Sequence, residues 1–325
     1  MRRRRFLAIS AAACGLPLLP LRAAQTPRLR VWTGAALGAD ARLQIHHPDP
    51  AAADRLIAAA LAEVRRLESV MSLYDPDSAL WRLNRDGRIE APPLDLVRVL
   101  AESERAHALT DGAFDVTVQP LWDLYAAHFS RPDADPAGPP GEATAAALAR
   151  VGQDALAVSA DAIGFARPGM AATLNGIGQG YVTDRVVERL RAGGVEHALV
   201  DMGEIRALGT YPEGGPWRVG LEDPDEPGRA AERVPLVDRA VSTSGGYGTR
   251  FDPAGRFNHI FDPADGRTSW RYRAVSVVAP TATEADALST AFTLMPLDRT
   301  AEVVRARGLA AYFVLPDGRR IIQGA

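Results

Sequence analysis

Apolar positions along the chain alternate between two spacings, which divides it into helices and short strands. Between residues 50 and 70, Ala53, Leu56, Ile57, Ala60, Leu61, Val64 and Leu67 recur at three and four, with Arg and Glu on the other side. That period places one apolar stripe on a helix. The spacing predicts further helices over Leu94–Thr110, Ala143–Arg150 and Gly180–Ala192, the first closed by Asp111-Gly112 and the last by Gly193-Gly194. Strand-like runs fall at Leu29–Trp32, Leu43–Ile45, Ala155–Val158, His197–Val200, Trp217–Val219, Ala240–Ser242, Ala274–Val278 and Ala311–Val314. Helices and strands alternate without a strict βαβ rhythm, so the expected class is α+β, a mixed α/β arrangement with mixed sheets flanked by helices. Residues 131–141, rich in Pro, Asp, Ala and Gly, read as an exposed loop with a disordered tip.

The first 24 residues read differently. Arg2–Arg5 precede Phe6-Leu7 and an apolar run too short to span a membrane, the pattern of a cleaved export signal. Arg3-Arg4-Arg5-Phe6-Leu7 resembles a twin-arginine signal, which carries folded proteins to the periplasm; a general secretion signal is the alternative. Cleavage near Ala23-Ala24 would leave a domain over 28–325. The sole cysteine, Cys14, lies in this segment as a poor match to a lipid-attachment box, so a chain cleaved beyond it has no thiol for disulfides or catalysis. The 325 residues suffice for a substantial core. A formal net charge of −3 offers no electrostatic footprint for nucleic acid.

Candidate chemistry concentrates in Thr283–Ala291. Asp286 and Thr290 stand four apart on one helix face, and Ser289 lies beside them. Hard oxygens of this kind suit Mg²⁺, held by one carboxylate, neutral oxygens and substrate phosphate. An aspartate near a helix start also serves as a cap, and both readings stand at this level. Asp286 is expected to be partly exposed. Gly176-Ile177-Gly178-Gln179-Gly180 opens a helix and admits close backbone approach to a phosphate; a simple turn of positive φ is the alternative. It is not GxGxxG, so no dinucleotide fold follows. Ser242-Thr243-Ser244-Gly245 adds hydroxyls in a tight turn.

Six blocks then occur in one order: Met71–Asn84, Gly112–Tyr125, Leu174–Val186, Val241–Phe251, Asn258–Ser269 and Ala285–Thr290. In these the chain resembles the ApbE family of FAD:protein FMN transferases, over nearly everything after the signal. "LNGIGQGYVTD" followed by "DMGEIRALG" is most similar to the branch associated with nitrous oxide reductase maturation. The resemblance implies an ApbE-like fold, FAD as substrate and Mg²⁺ held by Asp286, Thr290 and backbone oxygens near Gly176 and Ser289. It implies FAD contacts at Leu37, Tyr74, Ala113, Phe114, Asp115, Thr173, Gln179, His259 and Ile260. Tyr74 would stack on the flavin, and Asp115 would accept from a ring N–H or ribose hydroxyl unless it serves as a cap. His259 would be the general base, with a core histidine bonded to a carbonyl as its bland alternative, and Asp262 would orient the loop or the imidazole. The family commonly carries Asp where this chain has Thr173, and Lys or Glu where it has Gln179.

The implied reaction moves FMN to a Thr or Ser hydroxyl of an acceptor protein, the flavin domain of a membrane-bound electron-transfer partner, and releases AMP. A metal-dependent FAD pyrophosphatase and a non-catalytic flavin-binding assembly factor remain as competitors, the second kept open by Thr173 and Gln179.

Overall fold

The computed structural model describes residues 27–224 and 226–324. The signal segment and Cys14 therefore lie outside the described residues. In chain order the elements are β1 (Arg28–Ala36), β2 (Ala39–His47), α1 (Pro50–Met71), α2 (Ala79–Asp86), β3 (Arg88–Glu90), α3 (Leu94–Leu109), α4 (Gln119–Phe129) and α5 (Gly141–Leu148). There follow β4 (Leu156–Val158), β5 (Ala162–Phe165), α6 (Gly178–Ala192), β6 (His197–Asp201), β7 (Ile205–Leu208), β8 (Trp217–Asp223), β9 (Glu226–Leu236) and β10 (Ala240–Ser244). The chain closes through β11 (Ala274–Ala279), α7 (Ala282–Phe292), α8 (Leu297–Arg307), β12 (Ala310–Val314) and β13 (Arg320–Gln323).

Eight strands form the main sheet in the order β1-β2-β6-β7-β10-β11-β12-β13. Every pairing in it is antiparallel, so the mixture is one of helices with sheets rather than of strand directions. All six residues of β11 are buried, which requires cover on both faces. Val275, Val277 and Ala279 face a core built with α1, α6 and α7. Val278 faces the opposite way, into a cluster with Trp217, Val219 and Leu221 of β8 and Val234 and Leu236 of β9. The β8–β9 hairpin is thus a lid on one face of the sheet, and the helices form the other.

Local chemistry explains the helix starts. Asp49 caps α1, its carboxylate accepting from the Ala51 and Ala52 amides, and Pro50 follows with its φ already suited to a helix. Thr281 caps α7 by accepting from the Glu284 amide. A third cluster joins Leu121 and Tyr125 of α4 to Ala147 of α5 and to Phe261. The Tyr125 and Phe261 rings sit edge to face at 5.0 Å. This contact fixes the segment between β10 and β11, in which His259 lies. The 131–141 segment is a loop, as expected, but its tip is ordered rather than disordered, by turns from Arg131 to Ala134 and from Asp135 to Gly138 and by His128 against the Asp135 carbonyl.

Candidate active site

The site is built where α6 meets α7. None of Gly176, Gly178 and Gly180 takes up the left-handed backbone, so a turn of positive φ does not explain them. Proximity does. A Cβ on Gly180 would fall 2.3 Å from the Ala282 carbonyl oxygen, and one on Gly176 would fall 3.0 Å from Thr290 Oγ1. The two glycines let α6 lie directly on α7. The amides of Ile177 and Gly178 both donate to the Leu174 carbonyl, and that of Gly180 donates to Asp286 Oδ2 at 2.9 Å. Most of the first-turn donors expected to face a phosphate are therefore spent within the protein.

Asp286 is 3% exposed, not the partly exposed ligand expected from sequence. The packing that brings Gly180 against it also shuts out water. Burial pushes its carboxyl up to about 7, with the nearby Asp184 charge adding to the rise and the Gly180 amide opposing it. Asp184 itself holds the start of α7. It accepts from the Ala282 and Thr283 amides and the Thr283 hydroxyl, and it pairs with buried Arg206.

Sequence reasoning missed Glu204, which is 8% exposed and close enough to Asp286 to interact. Burial raises its pKa well above the carboxylate range, and the Asp286 charge raises it further. The Ser242 hydroxyl and Thr243 amide pull the other way. In the sequence Glu204 is one of three charged residues in "VDMGEIRALG", with Asp201 and Arg206, and nothing there singles it out. Hydroxyls fill the space beside it. Ser242 Oγ lies 3.0 Å and Ser244 Oγ 2.7 Å from Ser289 Oγ, and Ser244 Oγ is 3.2 Å from Thr290 Oγ1. Ser289 is also within 3.0 Å of the Asp286 carbonyl.

A narrow cleft opens from this cluster. Ala113, Phe114, Asp115, Thr173, Gly176, His259, Ile260 and Thr290, which the sequence singled out separately over 178 positions, all line it. His259 is partly buried, and burial lowers its pKa below the ordinary 6.5. Its Nδ1 lies 3.2 Å from the Thr249 carbonyl and 3.3 Å from the Thr249 amide. Asp262 accepts from the Ala264 amide and so orients its own turn rather than the imidazole. Asp115 borders the cleft but spends its carboxylate on internal partners. One oxygen accepts from the Thr117 amide and hydroxyl and the other from the Gln153 amide, as a cap would.

Three expected contacts lie outside the cleft. Tyr74 is 79% exposed, which removes the core-tyrosine reading, and it borders a second groove with Trp81 and Arg85. The two spaces share Trp122 and Asn175 as a common wall. Gln179 packs instead on Gly203, whose φ of 101° and contact with the amide group leave no room for a side chain. Leu37, at the β1–β2 turn with φ 51°, donates its amide to Glu68.

Among the described residues, no three His, Cys, Asp or Glu gather as a metal cluster. One buried carboxylate with neutral oxygens is a different donor set, and it fits a hard divalent cation. The raised Asp286 and Glu204 carboxyls mark a place where negative charge lacks compensation, and Gly176 keeps the space beside Thr290 Oγ1 open.

The family model described as the ApbE family matches residues 37–313. An FAD:protein FMN transferase of Haemophilus influenzae is 33% identical over 267 residues, covering 78% of this chain and 76% of its own. One of Klebsiella pneumoniae is 31% identical over 299 residues, covering 89% and 85%. Among solved structures, the flavin transferase ApbE of Vibrio cholerae superposes with a TM-score of 0.79 at 28% identity, over 91% of this chain and 97% of that one. The flavinyl transferase ApbE of Pseudomonas stutzeri in its apo form gives 0.76 at 29%, over 92% and 96%.

Proposed function

Because the chain belongs to the ApbE family and is a flavin transferase, we propose that it moves FMN from FAD onto a Thr or Ser hydroxyl of an acceptor protein, releasing AMP. The observation that carries this reading is the convergence of His259, Thr173, Phe114, Gly176 and Thr290 on one cleft, with Asp286 buried one helical turn from Thr290. Asp286, Thr290 Oγ1 and backbone oxygens near Gly176 and Ser289 would hold Mg²⁺, which when bound neutralises charge on the phosphate oxygens.

The chain's own groups do the rest. The tautomer in which Nδ1–H donates to the Thr249 carbonyl leaves Nε2 of His259 free as base. Its lowered pKa keeps it neutral at pH 7. It takes the proton of the acceptor hydroxyl as that oxygen bonds to the FMN-side phosphorus. The bond from that phosphorus to the bridging oxygen breaks, and AMP leaves with the oxygen and its charge. Such a transfer depends on positioning and charge stabilisation, so few protein groups suffice. Tyr74, exposed on the adjoining groove, would stack on the flavin ring.

The arginine-led N-terminus supports export to the periplasm, where the acceptor would be the flavin domain of a membrane-bound electron-transfer protein. The order of the Leu174–Asp184 and Asp201–Gly209 segments supports the nitrous oxide reductase branch. Incubation of the exported domain with FAD, Mg²⁺ and a candidate acceptor tests the reaction. In-gel flavin fluorescence on the acceptor is expected. Free FMN would instead identify a pyrophosphatase, and intact FAD a binding or assembly factor.

A further inference from the structure

Trp122 and Asn175 border both the cleft and the groove beside Tyr74, and they differ in what they can offer a ligand. Trp122 is an apolar wall, its ring edge to face with Phe251 at 5.8 Å. Asn175 is the exposed tip of a turn that is tied down on either side. Its own amide donates to Thr173 Oγ1 at 3.2 Å, and the Thr173 amide donates to the Val116 carbonyl at 2.7 Å. On the other side the Leu174 carbonyl accepts from the Ile177 and Gly178 amides. The backbone that carries Asn175 is therefore fixed where the two spaces meet.

The other amide and charged side chains of the groove are engaged within the protein. Asn84 holds the Ala172 backbone with both its donor and its acceptor, at 2.8 Å each. Arg85 pairs with Asp86, and Gln119 donates to Asp123 at 2.7 Å. The Gln119 carbonyl oxygen is buried without a partner, out of a ligand's reach, and an ionised Asp123 has no proton to donate. Among these side chains of the described residues, the Asn175 amide alone has no protein partner. An amide sets a donor beside an acceptor. The pyrimidine edge of a flavin presents the complement, with N3–H as donor and a carbonyl oxygen on either side of it as acceptor. Pockets of this kind take their specificity from a few such polar groups set among apolar and aromatic walls.

We propose that Asn175 is a specificity-determining residue for the flavin, its side-chain carbonyl accepting from N3–H while its side-chain N–H donates to the adjoining flavin carbonyl. The inference rests on the proposed flavin transfer, with the ring in the Tyr74 groove. Fluorescence titration with FAD and with N3-methyl FAD, in the absence of acceptor, reads affinity without transfer. The unaltered chain should bind FAD about tenfold more tightly than the methylated form, the scale of one lost hydrogen bond. Asn175→Ala should weaken FAD about tenfold and bind the two flavins alike. Asn175→Asp keeps an acceptor for N3–H, so it should still prefer FAD. Tyr74→Ala should weaken both flavins and leave their ratio unchanged, because stacking does not involve N3. Equal binding of the two flavins by the unaltered chain, the result for an adenine ring in the groove, overturns the proposal. So does a preference for FAD that survives in Asn175→Ala; if Tyr74→Ala still weakens FAD, the flavin reading stands without it. Failure of the unaltered chain to bind FAD overturns the flavin reading and the proposal with it.

Discussion

Replacing Asp286 with Asn should inactivate the protein yet make its metal-free form more stable at pH 8. The carboxylate is 3% exposed, has the Gly180 amide as its recorded partner, and feels the charge of Asp184. Burial and then the Asp184 charge push its pKa from 3.8 to about 7 against the opposing Gly180 amide. A carboxyl raised on folding binds its proton more tightly in the folded state, so stability is full below the unfolded value and falls as pH rises through the window from 3.8 to about 7. At ~1.4 kcal/mol per tenfold change in acidity, the charged apo site costs about 4 kcal/mol above that window. Relaxation around the buried charge brings the expected difference to a few kcal/mol. Asparagine keeps an oxygen for the Gly180 amide and removes the charge. Urea unfolding with chelator at pH 4, 6 and 8 should show the variant gaining on the wild type as pH rises, with little difference at pH 4. Added Mg²⁺ should stabilise the wild type alone. A variant less stable than the wild type at pH 8 without metal would refute the claim that this charge awaits a cation.

The remaining expectations are more local. His259→Ala should slow transfer by roughly 10²–10⁴-fold with FAD affinity retained. In the intact enzyme the lowered imidazole pKa should keep the rate flat near pH 7, with loss only on the acid side, below 6.5. Gly180→Ala places a Cβ 2.3 Å from the Ala282 carbonyl oxygen and should destabilise by about 1–3 kcal/mol in urea, with metal affinity falling as α7 shifts; an unchanged midpoint would contradict the close helix contact. Tyr74→Ala should leave stability within about 0.5 kcal/mol, because the ring is 79% exposed, yet weaken FAD binding in a fluorescence titration.

What the sequence could reveal followed from how each element buries its residues. α1 was legible because Ala53, Ile57, Ala60, Val64 and Leu67 keep a strict stripe against the sheet. The six apolar residues of β11 were equally plain, though their doubled cover was not. α4 was hidden because Pro120 resembles a break where it occupies the first turn, and because its apolar residues serve the side cluster with Phe261. α8 buries only Thr300, Val303 and Val304, too few to set a period. β9 pairs with β8 despite its Glu, Arg, Pro and Gly content, which alternation cannot identify.

The same logic governs the site. Asp286 and Thr290 could be set on one helix face from the sequence because their spacing of four is local. Glu204 could not be placed, since only the β7–β10 register and the packing of α7 bring it beside Ser242 and Asp286. Asp115 lies in the expected block, but its role depends on Gln153, 38 residues away, whose amide its carboxylate accepts.

The central claim is that one phosphorus passes from AMP to a protein hydroxyl, and stoichiometry tests it most directly. Purified enzyme, FAD, Mg²⁺ and excess acceptor should be followed by intact-protein mass spectrometry of the acceptor and chromatography of released nucleotides. The account expects one AMP for each covalently bound FMN, with the flavin mapped to a single Thr or Ser and both products lost in His259→Ala. AMP accompanied by free FMN on an unmodified acceptor would contradict it.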